Sequence, residues 1–228
     1  MATSPADEAA ASLRHPLTLA LLALTFSTGT VDAVSYLRLG HVFTANMTGN
    51  IVLLGFGIAG SGGLPVLAPV ISTAAFALGS GLGGILARRL GDRHPVHVGY
   101  ALGLETLALG VATIIAAFAH PHPGRLSGYA MIVCMALGMG IRNATVRHIG
   151  VPDMTTTVLT MTLTGLAADA KIFGGPGKGS PRRLAAIAAM LLGAVCGALM
   201  LRTSVVLPMA FTTALAFVTC ASYRIFQR

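Results

Sequence analysis

The chain has 228 residues, of which 54% are hydrophobic and 10% charged, against about 25% charged in an average soluble domain, and that deficit excludes an ordinary soluble fold. The formal net charge is +8, but the basic residues cluster between apolar runs with no aromatic interleaving, which reads as membrane topology rather than nucleic-acid binding. Cys134, Cys196 and Cys220 fall inside apolar segments without CxxC spacing or a histidine partner, so buried thiols are expected instead of a disulfide or metal site.

Residues 1–15 are polar and are expected to form a disordered cytoplasmic tail. The apolar run that follows, 16–37, has the basic-then-apolar order of a signal sequence. It is longer than an h-region and further apolar segments follow, so an uncleaved first span is expected. Apolar segments then continue at 42–60, 64–87, 97–119, 126–146, 154–168, 184–201 and 205–223, separated by Gly-, Pro- and charge-bearing stretches such as 89–95, 120–125 and 171–183. Six of the eight are long enough, at about 20 residues, to cross a bilayer as helices.

The second and sixth segments differ. HVFTANMTGNIVLL, 41–54, puts Asn46, Thr48, Gly49 and Asn50 inside an otherwise apolar run. In lipid an unpaired amide or hydroxyl costs on the order of 2 kcal/mol, so these groups must meet each other, a freed backbone or a ligand. Gly49 weakens a helix by roughly 1 kcal/mol relative to Ala, and a backbone unwound there would let Asn46, Thr48 and Asn50 converge. The alternative is hydrogen bonding to neighbouring helices. The sixth segment carries Thr155, Thr156, Thr157, Thr160, Thr162 and Thr164. Thr156, Thr160 and Thr164 would share one helical face, where packing is the expected role, with Thr157 and Thr160 the best candidates for a site.

These two segments hold corresponding places in two halves. Phe76, Gly79, Gly83 and Arg88 are matched by Met190, Gly193, Gly197 and Arg202 at an offset of 114, Gly40 by Gly150 at 110, and Asp32 by Asn143 at 111. Residues 16–119 and 126–228 therefore read as two repeats joined by a linker at 120–125. If all eight segments cross, Lys and Arg divide eight to seven; if the second and sixth enter and leave on one side, they divide twelve to three. The second count is what the positive-inside rule expects, with both termini cytoplasmic. Three crossings per half make the repeats inverted, which with short polar segments in matching places points to a transporter site near the midplane.

Two acids lie in apolar spans, Asp32 near the end of the first and Glu105 about a third of the way into the fourth. A carboxylate at the bilayer centre costs roughly 3 kcal/mol on insertion scales, so each is expected to face the protein interior. Asp32 reads either as a coupling carboxylate or as a partner of Arg38 or His41. Glu105, with Asn143 a further coupling candidate, reads preferentially as a carboxyl held neutral in a helix contact. The small-xxx-small pairs Gly79/Gly83 and Gly193/Gly197 are read as helix-packing features. GGPGKGS at 174–180 lacks the GK[ST] ending and the preceding strand of a phosphate-binding loop. With no nucleophile–base pair or metal cluster in view, neither an enzyme nor a cofactor is expected.

At DAVSYLRLGHVFTANMTGNIVLLG, 32–55, the sequence resembles the YoaK-like family of bacterial inner-membrane proteins, in which a TGN tripeptide follows an apolar Phe-x-x-Asn stretch. The resemblance runs from about 17 to 224, and implies membrane placement without naming an activity. Its second-half echo, threonine-valine-threonine-glycine-threonine, has Met161 here where the glycine falls. The expectation is an all-α polytopic inner-membrane protein with about six transmembrane helices and two short discontinuous or re-entrant ones. Its expected function is that of a small-solute transporter or permease, with the lipid bilayer, a small molecule or ion, and a second copy as its partners and no nucleic acid. The alternative is a non-transporting structural, assembly or sensor protein.

Overall fold

The structure, a computed structural model, describes residues 15–90, 94–151, 156, 157, 159–177 and 179–226. The expected disordered tail lies, but for His15, outside them. The elements among them are all helical: α1 (Pro16–Arg38), α2 (Met47–Ile58), α3 (Leu67–Leu90), α4 (His94–Phe118), α5 (Leu126–Ile149), α6 (Leu159–Ala168), α7 (Ser180–Met200) and α8 (Val206–Phe226), with a short 3₁₀ turn at Lys171–Phe173. Six of these, all but α2 and α6, are long and apolar enough to cross a bilayer. With 12 residues, α2 spans about 18 Å, well short of a hydrocarbon core of about 30 Å.

Helix is the natural state of these runs because backbone groups in lipid must be bonded within their own segment. Pro16 starts α1 where its missing N–H costs nothing, and His15 accepts the Leu17 N–H at 3.2 Å. Gly150, at φ 73°, ends α5 in the left-handed region. The hydroxyls along α1 do not interrupt it. Thr25 and Thr28 donate to Leu21 O and Leu24 O, one turn back, at 2.8 and 3.0 Å, and Thr30 reaches Gly193 O across the interface at 3.0 Å.

Close approach at glycine sets the packing. α1 and α7 run parallel: Gly29 lies against Met190 O and Ala194 N, Gly193 against Phe26 O, and Gly197 against Thr30. α3 and α5 repeat this with the same register. Gly140 lies against Phe76 O and Ser80 N, Gly79 against Leu137 O, and Gly83 against Ile141. Each contact of the first pair maps onto one of the second by the offsets 111 and 114. α4 and α8 close the bundle against α5 and α1 and meet each other through Thr113 and Thr213, whose hydroxyls are 2.9 Å apart. Between them lies a methionine-rich core that includes Met131, Met135, Met139 and Met209 with Val31, Val34 and Leu109.

These contacts fix which ends lie together. Arg38, at the end of α1, donates to Leu201 O, just past the end of α7, at 2.8 Å, and Gly40 packs on Pro123 in the turn between α4 and α5. Since α3 runs parallel to α5, its start lies at that same end. The segment 39–66, with α2, therefore leaves and returns at one end of the bundle. By the same reasoning the chain leaves at Gly150 and returns at Gly179 at the other, where α5 ends and α7 begins.

Candidate functional site

The first-half break lies upstream of the place the sequence suggested. Gly49 sits inside the first turn of α2. The helix is interrupted at 39–46, where Gly40 and His41 take φ of 100° and 55°. Glycine at 49 serves packing instead, since a Cβ there would lie 2.8 Å from the Phe43 ring. Unwound backbone packed within an apolar helix bundle must be satisfied by side chains. Here Asp32 Oδ1 accepts the N–H groups of both Thr44 and Ala45 at 3.0 Å. The Asn50 side chain accepts the Phe43 N–H at 2.9 Å and donates to Phe43 O at 2.7 Å, and Ser72 donates to that same carbonyl at 2.6 Å. Asn46 caps α2 by accepting the Gly49 N–H at 3.2 Å.

The second half is built alike but with neutral groups. Thr156 takes φ 59° and precedes α6, so it does not share the helical face expected for it with Thr160 and Thr164. Thr157 donates to Asn143 Oδ1 at 2.9 Å, the place in this half that Asp32 holds in the other. Thr164 bonds back to Thr160 O at 2.9 Å. Met161, in the position of the missing glycine, lies within α6 and is exposed.

A cavity of about 930 Å³ lies where the first turns of α2 and α6 approach α1 and α7. Asp32, Asn46, Thr48, Gly49, Thr157 and Thr160 line it. Its space comes from the small residues Gly29, Ala33, Ala194 and Ala198 on the long helices, and its aromatic wall from Tyr36 and Phe43, stacked at 4.9 Å. No residue of α3 or α5 lines it among those described. Six of the residues expected to bind or couple are thus brought together. Three are not: Asn50 is buried behind Phe43, Asn143 stands behind Thr157, and Glu105 lies away from the cavity.

Glu105 has an ionic partner, Arg142, which the positive-inside count had placed among the cytoplasmic charges. The structure corrects this. Arg142 is a fully buried side chain of α5, with Nε 3.3 Å from Glu105 Oε1 and Nη1 donating to Leu24 O at 2.6 Å. The helix contact expected for Glu105 is with this guanidinium, a buried pair whose hydrogen bond to Leu24 O joins α4, α5 and α1. The signal was present: Arg142 stands seven residues before the end of α5, directly after the apolar run MALGMGI. Asp32 pairs with neither Arg38, which is committed to Leu201 O, nor His41, which packs edge-on against Tyr36. It has no counter-cation at ion-pair distance among the described residues.

A family model described as "Protein of unknown function (DUF1275)" matches residues 20–222. Among curated proteins, the UPF0700 transmembrane protein YoaK of Bacillus subtilis (strain 168) is 37% identical over 161 residues, which cover 70% of this chain and 68% of the relative. No solved structure matches.

Proposed function

This chain belongs to the DUF1275 family of proteins of unknown function, and we propose that it is a small-solute permease of the bacterial inner membrane whose two halves are inverted repeats. The observation that carries the reading is the cavity itself. Two short helices, entering from opposite ends of the bundle, bring polar side chains of their first turns to one largely apolar cavity, the arrangement expected of transporters built from inverted repeats. The cavity is one-sided. It is lined by α1 and α7 and reaches toward the end where those helices stop, at Leu37 and Ala198, while no described residue of α3 or α5 lines it, although both helix pairs meet at glycine equally closely. Loss of the cavity beside α1 and α7 and formation of its counterpart beside α3 and α5 would carry a solute across. The full satisfaction of Asn50 and the Asn143–Thr157 bond favour a second reading, a membrane protein in which the short helices are purely structural.

The transport reading is tested by light-scattering of proteoliposomes exposed to methylammonium, tetraethylammonium, acetate and glycerol. With the native cysteines replaced, a thiol reagent on Ala198→Cys in the cavity wall should abolish the solute-dependent volume change. The same reagent on Leu199→Cys, which is exposed on the outside of α7, should not. Volume changes equal to those of empty liposomes for every solute would favour the structural reading.

Orientation has its own test. With both termini cytoplasmic, Ser61→Cys and His122→Cys should react with an impermeant maleimide from outside intact cells, whereas Gly174→Cys should react only after lysis. Opposite exposure of positions 61 and 122 would mean that α2 takes its chain across the bilayer.

A further inference from the structure

We infer that the ligand of this cavity is a small organic cation held at Asp32, an inference that rests on the permease reading and names its solute class. Among the described residues, the Asp, Glu, Lys and Arg side chains lying more than one turn from the ends of the six long helices are Asp32, Glu105 and Arg142. Two carboxylates face one guanidinium. Arg142 lies at 3.3 Å from Glu105 and spends a second donor on Leu24 O, so it reaches Asp32 only as a field from beyond ion-pair distance. Asp32 receives only the neutral N–H donors of Thr44 and Ala45, both on the same oxygen. The positive end of α2 behind those amides is worth about half a charge. A carboxylate on a largely apolar wall is therefore left partly uncompensated, and a cation in the cavity completes it.

The shape of the cavity selects the kind of cation. A bare metal ion is held by a close cage of several oxygens at about 2.3–2.6 Å, whereas about 930 Å³ is of the size that takes an organic molecule. The stacked rings of Tyr36 and Phe43 stand in the wall beside Asp32, with Val52, Leu53 and Val195 completing it. Aromatic faces and apolar surface with one carboxylate suit an alkylammonium or guanidinium group, which binds through charge, ring faces and its own hydrocarbon surface. The equivalent place in the second half holds the amide of Asn143, so the charge is supplied from one half only.

Equilibrium binding of radiolabelled methylammonium, tetraethylammonium and guanidinium to the full-length protein in nanodiscs tests this. Saturable binding of at least one is expected, and Asp32→Asn, which keeps an oxygen for Thr44 and Ala45, should weaken it about tenfold or more. Glu105→Gln should weaken it as well, because Arg142 then has Asp32 as its nearest counter-charge. The double variant Glu105→Gln/Arg142→Gln should restore affinity to within about twofold, an outcome that a merely structural role for these residues would not produce. Melting curves of each variant report folding, and the rescue in the double variant keeps the test decisive if one single variant is unstable. No saturable binding of any of the three, wild-type affinity in Asp32→Asn, or displacement by equimolar sodium or potassium overturns the inference. Binding that follows the charge pattern without any flux sinks the permease reading alone. Flux of acetate or glycerol that Asp32→Asn leaves unchanged sinks the cation alone.

Discussion

Arg142→Met will cost the protein about 3–5 kcal/mol in equilibrium unfolding from mixed detergent micelles, the range for breaking a buried pair by removing one partner. Loss of the guanidinium leaves Glu105, with a fully buried side chain, without an opposite charge, and leaves Asp32 without the nearest positive field. It also takes one of two donors from Leu24 O, which keeps the Thr28 hydroxyl. Glu105→Gln should cost less, about 1–2 kcal/mol, since Asp32 can still answer Arg142 and a neutral amide is cheaper to bury than a carboxylate. Glu105→Leu combined with Arg142→Met should regain most of the loss, because well-packed apolar groups replace a buried ion pair at little cost or a gain. Equal losses in the single and double variants would show that packing around these side chains, and not their charge, holds α4, α5 and α1 together.

How far this was readable from the sequence depends on whether the deciding contact lay within a helix or between helices. Segment lengths and the glycine pairs at 79/83 and 193/197 gave six spanning helices and their packing faces, because both signals are local. The interruption before α2 was legible only as a region. Gly49 carried the obvious helix-weakening residue, yet the chain unwinds at Gly40–Ala45, where Asp32 from the preceding helix can bond two freed N–H groups. Intrinsic propensity offered about 1 kcal/mol at Gly49, and a long-range carboxylate outweighed it. Asn50 looked like a ligand group because nothing in a sequence says that Phe43, seven residues earlier, will present both its N–H and its carbonyl to that amide. Arg142 was counted with the cytoplasmic charges because its partner, Glu105, lies 37 positions away. Five of the six cavity-lining residues, all but Gly49, were legible because polar groups in an apolar run need partners wherever the chain puts them.

Gly193→Ala and Gly79→Ala should each cost about 3 kcal/mol, at the upper end of the usual range for overpacking. At both positions the new Cβ would overlap a backbone carbonyl of the neighbouring helix, Phe26 O or Leu137 O, and not the movable tip of a side chain. The helices would have to separate. Gly81→Ala on α3, where nothing lies within 4 Å of the added carbon, is the control and should be neutral or stabilising by up to about 1 kcal/mol. Because the two glycines occupy equivalent places at an offset of 114, the two losses should agree within about 1 kcal/mol if the halves are true repeats. Function should separate what stability does not. Gly193 stands between Met190 and Ala194, both in the cavity wall, whereas the seam of Gly79 lines no cavity among the described residues. Widening the α1–α7 contact would prop the cavity open, and widening the α3–α5 contact would favour its counterpart. In a two-state exchange of arrangements these shifts have opposite sign, so ligand binding from the α1–α7 side should strengthen in Gly193→Ala and weaken in Gly79→Ala. Equal effects of the two on binding would mean that the seams do not alternate.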